Sequence, residues 1–373
     1  LYATSEEYSG TQLANFLKTW RTRSGDPVAA KWEKCVRHEI QTQGELYMLK
    51  YTIKRIIMIP FMLLVIALLI FFFLSLSKAD AITQMLPQQY SPEDYYNLQH
   101  ELGLDRPVIV QYANWVWDVV VHGDFGMSFK TRGPVWKEIG DRIPTTLKFA
   151  AITTVLTVAL GIPMGVIAAV KQYSWIDETL NVVCKIIGSI PAFWFALVLL
   201  LIFSMKLKWL PTYGVSTPKH WILPVITQVL PGAAFYMRQV RSSMLDCIRK
   251  DYVRTARSKG ASERTVIYRD ALRNGLLPMI TIAGSVFAMM LGGTVVIENV
   301  FAMPGLGSKV VEAINSKDIP MIMAAAIMLA TITCLMMLLI DLSYALVDPR
   351  IKATFVSVKR SKKVKHRVTK EAA

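Results

Sequence analysis

The sequence predicts an all-α polytopic membrane protein, and two observations carry that prediction. Apolar residues fill 53% of 373 positions against 18% charged, with a mean hydropathy of +0.37. They also fall in long unbroken blocks rather than in the rhythm of a half-buried soluble helix, and blocks of that length suit the hydrocarbon core of a bilayer. The net charge of +15 could point to nucleic acid, but Lys and Arg gather beside the apolar blocks and at the end of the chain. The aromatic interleaving of a single-strand binder is missing, so membrane lipid is the expected partner and nucleic acid is not. Cys35, Cys184, Cys247 and Cys334 are scattered without CxxC spacing and read as packing residues.

Residues 1–47 are polar, mixed in charge and free of the apolar core of a signal peptide. Met48 stands directly before Lys50, Lys54, Arg55 and the first apolar block. The preceding residues therefore read as upstream sequence translated from an early start, or as a loose cytoplasmic extension.

Six stretches are long enough to cross a bilayer, which takes about 20 apolar residues in a helix. They run from Ile56 to Ser77, Phe149 to Val170, Ile186 to Met205, Trp221 to Met237, Gly275 to Ile297 and Ile319 to Ile340. The fourth is short and carries Pro224 and Pro231, which predicts a helix enclosed by its neighbours rather than facing lipid. Basic residues at 50–55, and in the tail at 347–373, place both termini in the cytoplasm.

Residues 79–142, between the first and second spans, then lie outside. Ser91 before Pro92, with Asp94 able to cap back, marks a helix start, and Gly103 a stop. A second helix is expected from Val108 to Val121, ending at the turn His122 to Gly126, and Pro134 and Pro144 each read as a further helix start. A solvated linker would not keep so many aromatic residues and valines, so a small helical cap is expected here.

From Asp251 to Pro278 the chain reads DYVRTARSKGASERTVIYRDALRNGLLP, a charged, helix-leaning segment between two apolar blocks. Basic residues outnumber acids there, which places it inside. Charge alone leaves two readings open: a topology signal, or a grip for a soluble partner. Farther on, FAMPGLGSK at 301–309 lacks the spacing of a phosphate loop and is a turn. HExxH, GxSxG and paired His and Cys ligands are absent, so neither a catalytic site nor a cofactor is expected. Glu298 and Asp341 near span ends admit two roles, a translocation path or a structural pairing.

Several segments in order resemble the inner-membrane permease of a bacterial ATP-binding-cassette importer of the dipeptide, oligopeptide and nickel type. They are residues 251–278, SPEDYYNLQHELGLDRPVIVQYANW, GDFGMSF, RIPTTL at 142–147, VIENVFAMPGLG at 296–307 and DLSYALVDPR at 341–350. The resemblance spans Met48 to Lys352. It implies a type I importer fold with six transmembrane helices and a type I transmembrane domain at 143–346. It also implies pairing with a second, similar permease, two cytoplasmic ATPases and an external substrate-binding protein, for import of peptides or a related small solute.

Residues 246–274 then resemble the loop that couples permease to ATPase, with Arg254, Thr255, Ala256, Arg257, Gly260 and Ala261 at its centre. The family's pattern begins Glu-Ala-Ala, with Gly four residues after the second Ala. Ala256 and Gly260 fit it, Arg254 and Thr255 replace the Glu and the first Ala, and Asp270 stands where relatives often carry His. A secondary transporter is the alternative, but it should show coupling acids near the midplane and matching broken helices in two halves, and the sequence has neither.

Overall fold

The structure is a computed structural model that describes residues 27–76, 82–86 and 89–347, and nearly all of this is helix. The first helix, α1, runs Pro27–Leu76 and continues without a break into the first apolar block. Helix therefore begins before Met48, within the stretch read as upstream sequence or a loose extension, and residues 1–26 lie outside the described set. The polar and apolar parts of α1 belong to different compact units, residues 59–337 forming the larger one that holds most of the bundle.

In the larger unit, α2 (Pro92–Glu101) starts as the sequence predicts. Ser91 Oγ accepts from the Asp94 amide at 3.2 Å, and the Asp94 carboxylate accepts from the Ser91 amide at 2.9 Å. Gly103 then takes φ +65°, the left-handed turn that stops the helix. Next, α3 (Val108–Trp117) continues as a π-helical turn, Asp118–His122, and ends at Gly123 with φ +66°.

The second span, α4, runs Val135–Val170. Pro134 precedes it, as expected, but Pro144 lies inside it rather than starting a new helix. A proline ring crowds the carbonyl four residues back, which here belongs to Gly140, the residue type whose backbone adapts most freely. Helix α5 (Trp175–Ser189) meets α6 (Ala192–Leu199, continued as π-helix to Lys206) at a 94° bend. The third predicted span is therefore an elbow at Ile190 and Pro191, because proline cannot continue the ladder of α5 and the residue before it is pushed out of helical geometry.

Helix α7 (Pro218–Ile248) contains the fourth predicted span and is the bundle's centre, packed by α4, α5, α6 and the long helix Leu272–Val300. It buries Thr227 and Gln228, and the Gln228 amide donates to the Met290 carbonyl at 3.1 Å. That polarity is why length and hydropathy alone single out only four spans among the described residues, or five with the elbow: Thr52–Leu76, Val135–Val170, Ile282–Val300 and Ile319–Ile340. A helix enclosed by protein needs no apolar circumference.

Helices α4 and α7 approach through a G-x-x-x-G pair. A Cβ built on Gly161 would stand 2.7 Å from the Tyr236 ring, and one on Gly165 would stand 2.6 Å from Val240 Cβ. Near the next turn the Arg241 guanidinium grips Asp177 at the start of α5 with two bonds of 2.7 Å. Asp177 is almost fully buried, and this fork, with the Tyr173 amide and the Asn181 side chain, satisfies its carboxylate.

After α7 come a short helix, α8 (Asp251–Ser258), then α9 (Leu272–Val300), α10 (Leu306–Asn315) and α11 (Ile319–Val347). At the α10 end of the bundle, buried Asp318 accepts from Ser128 Oγ and from the Phe129 amide at 3.1 Å, so the GMSF loop is tied to the head of α11. Lys309, also buried, pairs with Glu138 at 2.8 Å and Glu312 at 3.4 Å.

Candidate coupling surface

Between α7 and α9 the chain leaves the bundle and builds a small docked platform. Helix α8 is amphipathic in a segment whose overall charge hides the fact. Val253 is fully buried and Ala256 half-buried, while Tyr252, Arg254, Thr255, Arg257, Ser258 and Lys259 are exposed. Val253 packs into a cluster with Val240, Met244 and Cys247 of α7, with Val266, Ile267 and Ala271 of the following segment, and with Met279 of α9. Apolar residues three apart, Val253 and Ala256, are thus what seats this helix against the ends of two spans.

Its termination is equally defined. The Gly260 amide donates to the Arg257 carbonyl at 3.0 Å and the Ala261 amide to the Ala256 carbonyl at 3.3 Å, the paired bonds of a Schellman motif. Gly260 sits at φ +77° with no atom within 4 Å of where a Cβ would be, so conformation rather than space demands glycine there. Beyond the turn, Ser262 caps a short helical stretch, and Glu263 in its first turn accepts two bonds from Arg257, at 2.6 Å and 3.1 Å. A π-helical turn, Val266–Ala271, leads into α9 with Tyr268 and Arg269 facing out.

The sequence-chosen residues divide into two sets. Arg254 and Thr255 are on the exposed face, Arg257 is exposed but clasped to Glu263, and Gly260 makes the turn. Ala256 and Ala261 pack inward against the cluster instead, so they hold the platform's shape. Sequence reasoning passed over Val253 and Glu263. The first was readable as an apolar residue one turn from Ala256, and the second only from the fold, because its partner lies across a turn.

Glu298 is buried near the end of α9. Its carboxylate accepts from Thr146 Oγ1 at 2.6 Å and from the Ser308 amide at 3.0 Å, and Thr146 Oγ1 in turn accepts from the Leu306 amide at 2.8 Å. These are amides of the first turn of α10, where a helix presents unpaired donors and positive potential. The PGLG turn follows from this. A Cβ on Gly305 would collide with the Glu298 carboxylate, and one on Gly307 would come within 2.5 Å of Val295 Cα. Asp341 is on α11, and its side chain lies outside the described residues.

The bundle, with an enclosed central helix, a broken elbow helix and a short helix docked between two spans, is of the integral-membrane kind, and its relatives make it a permease subunit of an ATP-binding-cassette importer rather than an enzyme. Residues 161–353 match the binding-protein-dependent transport system inner membrane component family, and residues 48–150 match the N-terminal part of such membrane components. The chain belongs to that family. It is 38% identical over 316 residues to the oligopeptide transport system permease protein AppB of Bacillus subtilis, covering 82% of this chain and all of that one. A putative peptide transport system permease protein of Brucella abortus (strain 2308) is 35% identical over 308 residues, covering 80% of this chain and 98% of that one. Among solved structures, inward-facing conformations of the MetNI methionine ABC transporter give a TM-score of 0.50 at 16% identity, covering 57% of this chain and 97% of that one. That likeness concerns the fold.

Proposed function

We propose that this permease forms half of a path for peptides across a bacterial inner membrane, paired with a second, homologous permease. Two cytoplasmic ATPases serve the pair, one of them docking on the platform around α8, and an external binding protein delivers cargo at the opposite end of the bundle. Both termini are then cytoplasmic. The observation that carries this reading is α8 itself, seated on the spans by Val253 while it presents Arg254 and Thr255 outward. Peptide cargo is supported by the names of the relatives. Nucleotide-driven closure can move the permease only if the platform fits the ATPase differently in the open and closed states.

The assembled complex tests this directly. Thr255→Cys is expected to cross-link to the ATPase with a short thiol reagent, and the cross-linked complex to lose peptide uptake in proteoliposomes. A complex that transports peptide with no cross-link to Thr255→Cys, nor to Arg254→Cys, would refute the assignment.

A further inference from the structure

The segment between the first two spans holds one helix whose surroundings do not suit water. No charged residue occurs in α3, Val108–Trp117, although Arg106 and Asp118 stand just outside it. Tyr112 Oη donates to the backbone carbonyl of Leu64 at 2.8 Å, and its ring meets Phe71 edge-on. Leu64 is twelve residues before the end of α1 at Leu76, about 18 Å down the helix at 1.5 Å per residue. On the other side, Tyr112 and Trp115 pack on a cluster of Ala67, Met323 and Ile327, and Ile327 is eight residues into α11, about 12 Å below its start. Two independent spans therefore fix α3 at the level of their own hydrocarbon-crossing stretches.

The outward face of α3 and its π-helical continuation is apolar as well. Ile109 is 76% exposed and Val120 73%, with Val110, Trp117 and Val121 also bare. With its continuation α3 has fifteen residues, about 22 Å of helix and short of the length needed to cross. Neighbouring α1 is exposed at the same level along Leu68, Leu69, Phe72 and Phe73, so whatever coats α1 there continues onto α3.

We propose that α3 is a lipid-embedded anchor, lying within the bilayer leaflet at the α10 end of the bundle and holding the cap down by its apolar face. The occupant of that face is the acyl region of the membrane, argued from its depth against two spans and its continuity with the bare surface of α1. An apolar helix face of this kind buries itself in the headgroup and acyl boundary. Asp118 and His122 pair at 3.4 Å one turn apart, on the flank of the continuation away from Val120, and there polar groups regain water.

Spin labels at Ile109→Cys and Val120→Cys, in the complete transporter in lipid nanodiscs, test this by power saturation with oxygen and a water-soluble nickel chelate. Tyr96→Cys on α2, where the native tyrosine is 67% exposed, is the aqueous reference. Oxygen is expected to relax both α3 labels several-fold more than nickel does, with the order reversed at Tyr96→Cys. Dominant nickel access at the α3 sites would put the helix in water, and exclusion of both reagents would put it against another protein; either result overturns the proposal. A phospholipid with a photoreactive acyl chain, used on the unaltered transporter, is expected to label residues 108–121, and absence of adducts there while α1 is labelled would also overturn it.

Discussion

Arg257 and Glu263 face each other across the left-handed turn at Gly260, joined by two hydrogen bonds in a fork. The guanidinium holds the Glu263 carboxyl below its ordinary 4.5. A depressed carboxylate contributes stability that is present above its unfolded pKa and is lost as pH falls through the folded one, so this clasp opens only in acid well below neutrality. Carboxyl-carbon NMR of labelled Glu263 should show a midpoint under 4.5 that rises in Arg257→Gln. Because both side chains are largely exposed, Glu263→Gln should leave uptake within about two-fold of the parent, as exposed pairs contribute little.

Gly260→Val behaves differently. Space is open around the position, so the penalty is conformational, about 1–2 kcal/mol for a side chain in the left-handed region. The spans should insert normally and the permease should reach its usual level in the membrane. Uptake should nevertheless fall by tenfold or more, with ATPase subunits lost on purification, while Gly260→Asn keeps most of the activity. Equal transport by the valine variant would leave the platform as a topology signal only.

Val253→Ala removes two methyl groups from a fully buried site and should cost about 1–2.5 kcal/mol. Val253→Asp would place a carboxylate in the same cluster, and α8 should detach rather than bury it. Hydrogen exchange should then show loss of protection over residues 251–271 and not over α4 or α7. A uniform loss over all helices would mean that Val253 supports the whole bundle instead.

At the other end, Glu298 and Gly305 compete for one volume. Gly305→Ala alone should be severely destabilising, because the added methyl meets the carboxylate and forces it off the α10 amides. Glu298→Ala alone leaves those amides without their acceptor, a cost of about 1–3 kcal/mol. The double variant should be more stable than the sum of the two losses, by roughly 1 kcal/mol or more, as a thermal unfolding cycle would reveal. Strict additivity would mean that the two residues do not meet.

Much of this architecture was legible in advance, for physical reasons that differ by element. Ser91, Pro92 and Asp94 act through neighbours three residues apart, so local sequence contains their whole interaction. Gly260 was legible because its conformation is a property of one residue. The elbow at Pro191 was hidden inside an apolar run, since hydropathy records solubility in lipid and says nothing of direction. Glu298 showed only as an acid at unusual depth, because its partners Thr146 and Ser308 come from segments 152 and 10 residues away. Ala256 and Ala261 were placed in the right loop, but which way they face depends on the cluster around Val253, assembled from three separate segments.

The close approach at Gly161 and Gly165 bears on how work passes through the molecule. With the Tyr236 and Val240 side chains of α7 set directly against the bare backbone of α4, the two helices cannot slide past one another without collision, and a tightly packed interior transmits displacement rather than absorbing it. Only Arg249 and Lys250 separate the end of α7 from the start of α8. If the platform takes up motion as proposed, a push there would pass along α7 into α4 rather than being absorbed where the two helices meet.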